Sequence, residues 1–271
     1  MWKNHIQAVR TGLFGKVTRL EQEALLARME IIGGLKVNTS KGTSGVVLSM
    51  LERQPKGRVL DAPAGAGAMS RLVAKRGYDV TAFDINEREF AAKEVPLVTG
   101  DMNRPLPFRD GSFDYVVCID GIEHLENPYL AIREFARILK LGGELFISTP
   151  NICAFRSRTR YFLTGFHNKG KTPLQERNPS PLHHINLMTF PEIRYGLHRF
   201  GLEINVITMN RAKLAAWPYI FLYPFIACFT LFAFRHEKDS IQRQLNKEIF
   251  RQMLSWPVAM RETLIVSAKK P

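Results

Sequence analysis

The sequence predicts a doubly wound α/β fold, a mostly parallel sheet with helices on both faces. Three observations point to it. From about residue 57 short apolar runs alternate with helical patterns, as in successive βαβ units. A glycine turn, "VLDAPAGAGAMS", joins the first run to its helix, and the first three runs each end in an aspartate: Asp61, Asp84 and Asp101.

Taken in order, "RVLDA" is a first strand and "AMSRLVAKRG" a helix closed by Gly77. "YDVTAFDI" is the second strand, "NEREFAAKEV" a second helix and "PLVTGD" a short third strand. "FDYVVCID" is the fourth. The helix "PYLAIREFARILK" sets Leu130, Phe135, Ile138 and Leu139 on one side and is ended by Gly142 and Gly143. "ELFISTP" is the fifth strand, "FPEIRYGLHRFG" a helix, "LEINVITM" a sixth strand and "RETLIVSAKK" a last.

Composition narrows the function. The chain has 271 residues, a formal net charge of +13 and 45% hydrophobic side chains, which suits one large or two small globular domains. Its three cysteines, Cys118, Cys153 and Cys228, are far apart and lack metal-type spacing, which argues against a disulfide framework and for a reducing, cytoplasmic setting. The basic N-terminal residues lack the apolar run and cleavage site of a secretory signal. Basic residues are scattered and no zinc-finger or RNA-recognition signature occurs, so nucleic acid is the weakest acidic partner; an anionic membrane surface or a charged substrate remains.

Gly65 and Gly67 let a ligand approach the helix N-terminus. A dinucleotide and S-adenosylmethionine compete for that turn. Ser70 replaces the third glycine of the dinucleotide fingerprint, and the Asp61 carboxylate would repel a pyrophosphate while attracting an ammonium or sulfonium group. Asp84 is placed for two ribose hydroxyls and Asp101 for an adenine amino group, with Ala62, Ile85, Met102 and Ile119 as further cofactor-lining positions.

These residues, with "FDYVVCIDGIEHLENP", "ILKLGGELFISTPN" and "HHINLMTFPEI…FGLEI", resemble a class I S-adenosylmethionine-dependent methyltransferase, in the branch of the ubiquinone-pathway O-methyltransferases. The resemblance covers roughly residues 45 to 210. It implies a Rossmann-like seven-stranded sheet whose last strand is antiparallel. Pro63 departs from the pattern, which commonly has a glycine there, and removes one backbone donor from the turn.

The resemblance places the acceptor chemistry at the carboxyl ends of the fourth and fifth strands. Asp120, Glu123 and His124 match an acid-x-x-Glu-His arrangement that in the relatives is associated with a divalent metal, here magnesium or zinc. Two other readings stand beside it: a fold element that bonds backbone near the cofactor, and His124 as general base. His183 and His184 match a stretch that closes over the acceptor, with His184 as a base or substrate ligand; Asn151 lies near the same cavity.

About 50 residues separate the sixth and seventh strands, and they contain "LAAWPYIFLYPFIACFTLFAF", Leu214 to Phe234, without one charged side chain. A single crossing would leave the last strand on the wrong side of the bilayer, and Pro218 and Pro224 interrupt a straight helix. Trp217, Tyr219 and Tyr223, flanked by Arg211, Lys213, Arg235 and Lys238, suit a headgroup boundary. The expectation is a monotopic docking insert at the inner face of the membrane, holding the active site over a lipid-borne acceptor; a homodimer interface or a lid over a small-molecule acceptor is the alternative. The expected organisation is an N-terminal helical segment over 1–44, including a helix "VTRLEQEALLARMEII", then a core over 45–210, the insert over 211–260 and the closing strand over 261–271. Two further functions stay open: a non-catalytic module recruited to a membrane, and, more distantly, a nicotinamide-dependent dehydrogenase.

Overall fold

A short antiparallel hairpin, β1 (Glu30–Ile32) and β2 (Leu35–Val37), leads into α1 (Thr43–Leu51) in the computed structural model, which describes residues 30–32, 34–37, 39–170, 172–177, 180–210 and 214–271. Glu30–Ile32 is thus strand where a helix end was expected; Gly34, at φ +81°, makes the turn. The rest of that expected helix lies outside the described residues.

The main sheet follows: β3 (Arg58–Asp61), α2 (Ala68–Lys75), β4 (Asp79–Asp84), β5 (Leu97–Thr99), β6 (Phe113–Ile119), α3 (Pro128–Ile138), β7 (Leu139–Pro150), α4 (Phe155–Thr164), α5 (Phe190–Arg199) and β8 (Glu203–Met209). The chain closes with α6 (Tyr223–Phe234), α7 (Ser240–Met253), α8 (Trp256–Met260) and β9 (Thr263–Lys269). The seven strands lie in the order β5-β4-β3-β6-β7-β9-β8, with only β9 antiparallel to its neighbours. All seven expected strands form. Because β9 reverses between β7 and β8, β8 runs parallel to β7, and Met209 reaches the same edge as Asp61, Asp84 and Ile119.

Period-two alternation divides the strand residues between two cores. Leu60, Val116 and Ile147 face α3 and α5 through Ile132, Phe135, Ile193 and Leu197. Val59, Val117 and Phe146 face α1 and α2 through Val47, Leu51, Met69 and Val73. Each fully buried Phe or Leu contributes about 1.5–3 kcal/mol from removal of its side chain from water. The helix α5 starts with a reciprocal capping box between Thr189 and Glu192.

Two expected elements differ. Asn86–Val95 is a set of turns, not a helix: Asp84 takes the Asn86 N–H at 2.8 Å, and the Ala91 N–H bonds the Ala66 carbonyl at 3.1 Å, which draws the chain over the glycine turn. The helix α3 stops at Ile138, since Leu139 already pairs with Phe113; Gly142 and Gly143 therefore sit within β7.

Between β8 and β9 lies the insert. Leu214–Leu222 is a tight three-residue-per-turn helix containing Pro218, and α6 begins with Pro224 in its first turn. Ala216–Phe234 is long and apolar enough to cross a membrane by length and composition, and none of α6 is buried in the protein. Phe225 and Phe229 are 62% and 73% exposed. Its ends are nonetheless fixed. Met209 pairs with Leu264 in the sheet, Arg194 of α5 bonds Glu248 and Gln252 of α7, and Trp217 meets Trp256 edge-on at 5.5 Å.

Candidate active site

The glycine turn follows β3 because Asp61 ends the strand and then folds back on the helix it precedes. The Ser70 hydroxyl donates to the Asp61 carboxylate at 2.5 Å, and Asp61 is 2% exposed. Burial pushes Asp61 up to about 7, against the opposing pull of Ser70. Asp84 accepts the Gly65 N–H at 2.7 Å, locking the turn to the end of β4. The two glycines then differ. A Cβ on Gly65 would meet nothing within 4 Å, so the space beside it is open; one on Gly67 would strike Ala92 and Phe90 at 2.6 Å. Gly65 borders open space, and Gly67 lets the 90–92 segment approach the turn.

This edge fits a nucleoside sulfonium. Ile85, 61% exposed beside Asp84, offers an apolar surface next to the turn, while the Asp61 carboxylate ends β3 and that of Asp84 reaches the turn from the end of β4. Asp101 caps its own turn by accepting from the backbone and side chain of Asn103 at 2.8 and 3.1 Å. Ile119 is half-buried at the edge. Ala62 and Met102 pack into the core cluster and support the wall from behind. Pro63 has a structural partner: a Cβ on Gly121 would collide with its ring at 2.3 Å, so Gly121 is what admits the proline.

The acceptor side gathers Glu123, His124 and His184, which each offer a ligand atom within 4.8 Å of the others. Asp120, grouped with Glu123 and His124 from the sequence, is not among them. At φ +45° it turns to accept from the Thr39 hydroxyl at 2.7 Å, the Ser40 N–H at 3.2 Å and the Ser148 hydroxyl at 2.7 Å, closing the segment before α1 over the site. His184 takes its place, so Glu123, His124 and His184 are the residues that could hold a divalent cation.

Glu123 is fully buried, and burial followed by the nearby Asp120 charge pushes it up to about 8. Thr149 donates to one of its oxygens; the other, like His184 Nδ1, is buried with no hydrogen-bond partner among the described residues. His124 Nδ1 lies 3.0 Å from the His183 carbonyl, which only accepts, so that nitrogen carries the proton and Nε2 the lone pair. Burial holds His124 and His184 below the usual histidine range; His124 and Lys169 lower His184 further. The two rings meet edge-on at 4.9 Å. The arrangement can bind a hydroxyl and accept its proton.

Sequence reasoning missed the supports. Ser70 holds Asp61, Ser148 holds Asp120, and Asn151 donates to the carbonyls of Pro257, Val258 and Arg261 rather than lining the cavity. Only Ser70 carried a signal, as the residue standing where a dinucleotide site needs glycine.

Residues 60–147 match the model of a methyltransferase domain. The chain is 31% identical over 179 residues to a ubiquinone biosynthesis O-methyltransferase of Xanthomonas euvesicatoria, covering 59% of this chain and 71% of the relative. It is 35% identical over 106 residues to the same-named protein of Dechloromonas aromatica, covering 35% of this chain and 44% of that one. A demethylmenaquinone methyltransferase of Corynebacterium efficiens is 35% identical over 119 residues, 42% of this chain and 51% of the relative. These last two matches thus span about half the length of the relatives or less. In fold, an S-adenosylmethionine-dependent methyltransferase from Thermotoga maritima superposes with a TM-score of 0.55 at 17% identity over all of both chains. A phosphoethanolamine N-methyltransferase from Haemonchus contortus, in complex with S-adenosyl-L-methionine, gives 0.55 at 16% identity over 98% of this chain and 59% of its own. The strand order, the acidic strand ends around the glycine turn and these similarities lead to one conclusion: the chain belongs to the class I S-adenosylmethionine-dependent methyltransferases.

Proposed function

We propose that the chain methylates a hydroxyl oxygen of a lipid-borne acceptor, a polyprenyl quinone precursor or a lipid-linked saccharide, at the cytoplasmic face of an anionic membrane. The observation that carries the chemistry is His124, fixed by the His183 carbonyl and set beside Glu123 and His184. S-adenosylmethionine supplies a methyl group made electrophilic by its sulfonium. The chain aligns the acceptor and removes its proton: Nε2 of His124, neutral because burial lowers its pKa, takes the hydroxyl proton and leaves a nucleophilic oxygen. The reading requires no metal ion. Similarity to ubiquinone-biosynthesis O-methyltransferases favours oxygen as the methylated atom.

The lipid half of the reading rests on the insert. An apolar helix with no buried residue is costly in water, and Arg235, Lys238, Arg243 and Lys247 stand exposed beside it to meet anionic headgroups. The insert leaves β8 at the cofactor edge of the sheet, so a docked α6 brings that edge to the bilayer.

The test is transfer of labelled methyl from S-adenosylmethionine to a whole-cell extract, followed by organic–aqueous partition, with flotation on anionic vesicles in parallel. Enzyme-dependent label in the organic phase is expected. Phe225→Ser with Phe229→Ser should lose flotation while thermal stability stays within about 0.5 kcal/mol, as for other exposed positions. Label confined to water would overturn the lipid acceptor, and no label at all would overturn the transferase.

A further inference from the structure

Three segments meet around the cluster of Glu123, His124 and His184. Thr39 and Ser40 are held by Asp120, which accepts the Thr39 hydroxyl at 2.7 Å and the Ser40 N–H at 3.2 Å. Lys169, in the loop after α4, reaches the same segment, its Nζ donating to the Ser40 hydroxyl at 3.0 Å. The third is the 183–186 loop, tied down by the Asn186 N–H on the Glu123 carbonyl at 3.0 Å.

Lys169 is exposed and has no ion-pair partner among the described residues. One of the three donors of an ammonium serves Ser40, so two donors and the charge remain for a ligand. Asp120 forms no ion pair with it, because one carboxylate oxygen is taken by Thr39 and Ser40 and the other by Ser148. The charge nonetheless stands at the acceptor site. Burial acts first on Glu123 and His184, and the Lys169 ammonium lowers the pKa of both. His184 in turn meets the His124 ring edge-on at 4.9 Å, so neighbours lead from the proposed base to the ammonium. Glu123 adds Oε1, buried with no hydrogen-bond partner among the described residues, which a second ligand hydroxyl would satisfy.

We propose that Lys169 determines specificity by binding a carboxylate of the acceptor, so that the chain selects hydroxyl acceptors that carry an acid group. One ammonium balances one carboxylate, whereas a phosphate monoester, at about −1.5 to −2, would stay partly uncompensated. The proposal rests on the acceptor reading of His124 given above and adds the acceptor's charge.

Calorimetric binding of two catechols to the full chain saturated with S-adenosylhomocysteine tests it without requiring turnover: dihydroxyphenylacetate, an anion, and dopamine, a cation. The anion should bind about tenfold more tightly, as a charge-assisted hydrogen bond implies. Lys169→Met should remove that preference and Lys169→Glu should reverse it, with the melting transition monitored to confirm folding. Ser40→Ala takes away the hydroxyl but not the ammonium and should keep the preference. A loss in Ser40→Ala as complete as in Lys169→Met would overturn the charge role in favour of a structural latch. Equal binding of the two catechols, or none of either, would overturn the carboxylate site, whereas the transferase itself stands or falls on the labelled-methyl transfer.

Discussion

Asn151, one residue past β7, donates from Nδ2 to the carbonyl of Val258 at 2.7 Å, and the same nitrogen reaches the carbonyl of Arg261 at 2.7 Å. One amide thereby ties the reactive edge of the sheet to the returning end of the insert. Asn151→Ala would leave these buried carbonyls without their donor, and each unsatisfied group costs about 1–3 kcal/mol. Urea denaturation should show a midpoint lowered by a loss of that size, and Asn151→Asp, which sets a carboxylate against carbonyl oxygens, should lower it further.

Asp61 should link pH to both stability and cofactor affinity. Its pKa rises from 3.8 to about 7 on folding, so the folded state holds the proton more tightly. Its contribution to stability is complete below 3.8 and is lost as the pH climbs through about 7. Asp61→Asn should therefore melt higher than the parent above neutral pH and alike in acid. Cofactor binding runs the other way, since the carboxylate is the form that attracts an ammonium group. Calorimetric affinity for S-adenosylmethionine should fall about tenfold from about pH 8 to pH 6, and that dependence should vanish in the variant.

The two turn glycines should separate experimentally. Gly65→Ala meets open space, at φ +53°, and should weaken cofactor binding well beyond its modest cost in stability. Gly67→Ala forces a Cβ into Phe90 and Ala92 at φ +83° and should cost about 1–3 kcal/mol of stability. Parallel thermal melts and calorimetry of both variants check the contrast.

Removing the proposed base should reduce turnover without touching cofactor affinity. His124→Ala is expected to lower kcat about 10²- to 10⁴-fold. The acid limb of the parent's pH–rate profile should lie below 6.5, because burial lowers the His124 pKa from that value. A limb at or above it would assign the proton transfer to another group.

Much of the scaffold was readable because its signals are local. Adjacent apolar residues in "RVLDA" and "FDYVVCID" carry both faces of a covered strand, and Gly77 marks the end of α2 without reference to the rest of the chain. The segment 86–95 misled because its helix-forming composition was overridden by a tertiary contact, the Ala91 N–H on the Ala66 carbonyl. The place of a site residue was readable where a strand end fixes it, as for Asp84 beside the glycine turn or His124 just beyond β6. It was not where the backbone decides direction: the positive φ of Asp120 turns that carboxylate toward Thr39, and His184, 60 positions after His124 in the chain, enters through a loop whose path no local pattern encodes.

The pairing of Met209 with Leu264 means that the insert leaves and re-enters the sheet at laterally adjacent points. Strands so placed are about 4.8 Å apart and can be joined by a hairpin of about two to five residues. The topology thus asks of this stretch only that its two ends arrive side by side: its outer part, α6, could change in length or sequence with the seven-stranded order left as it is, while Val258 near its returning end stays in the main core.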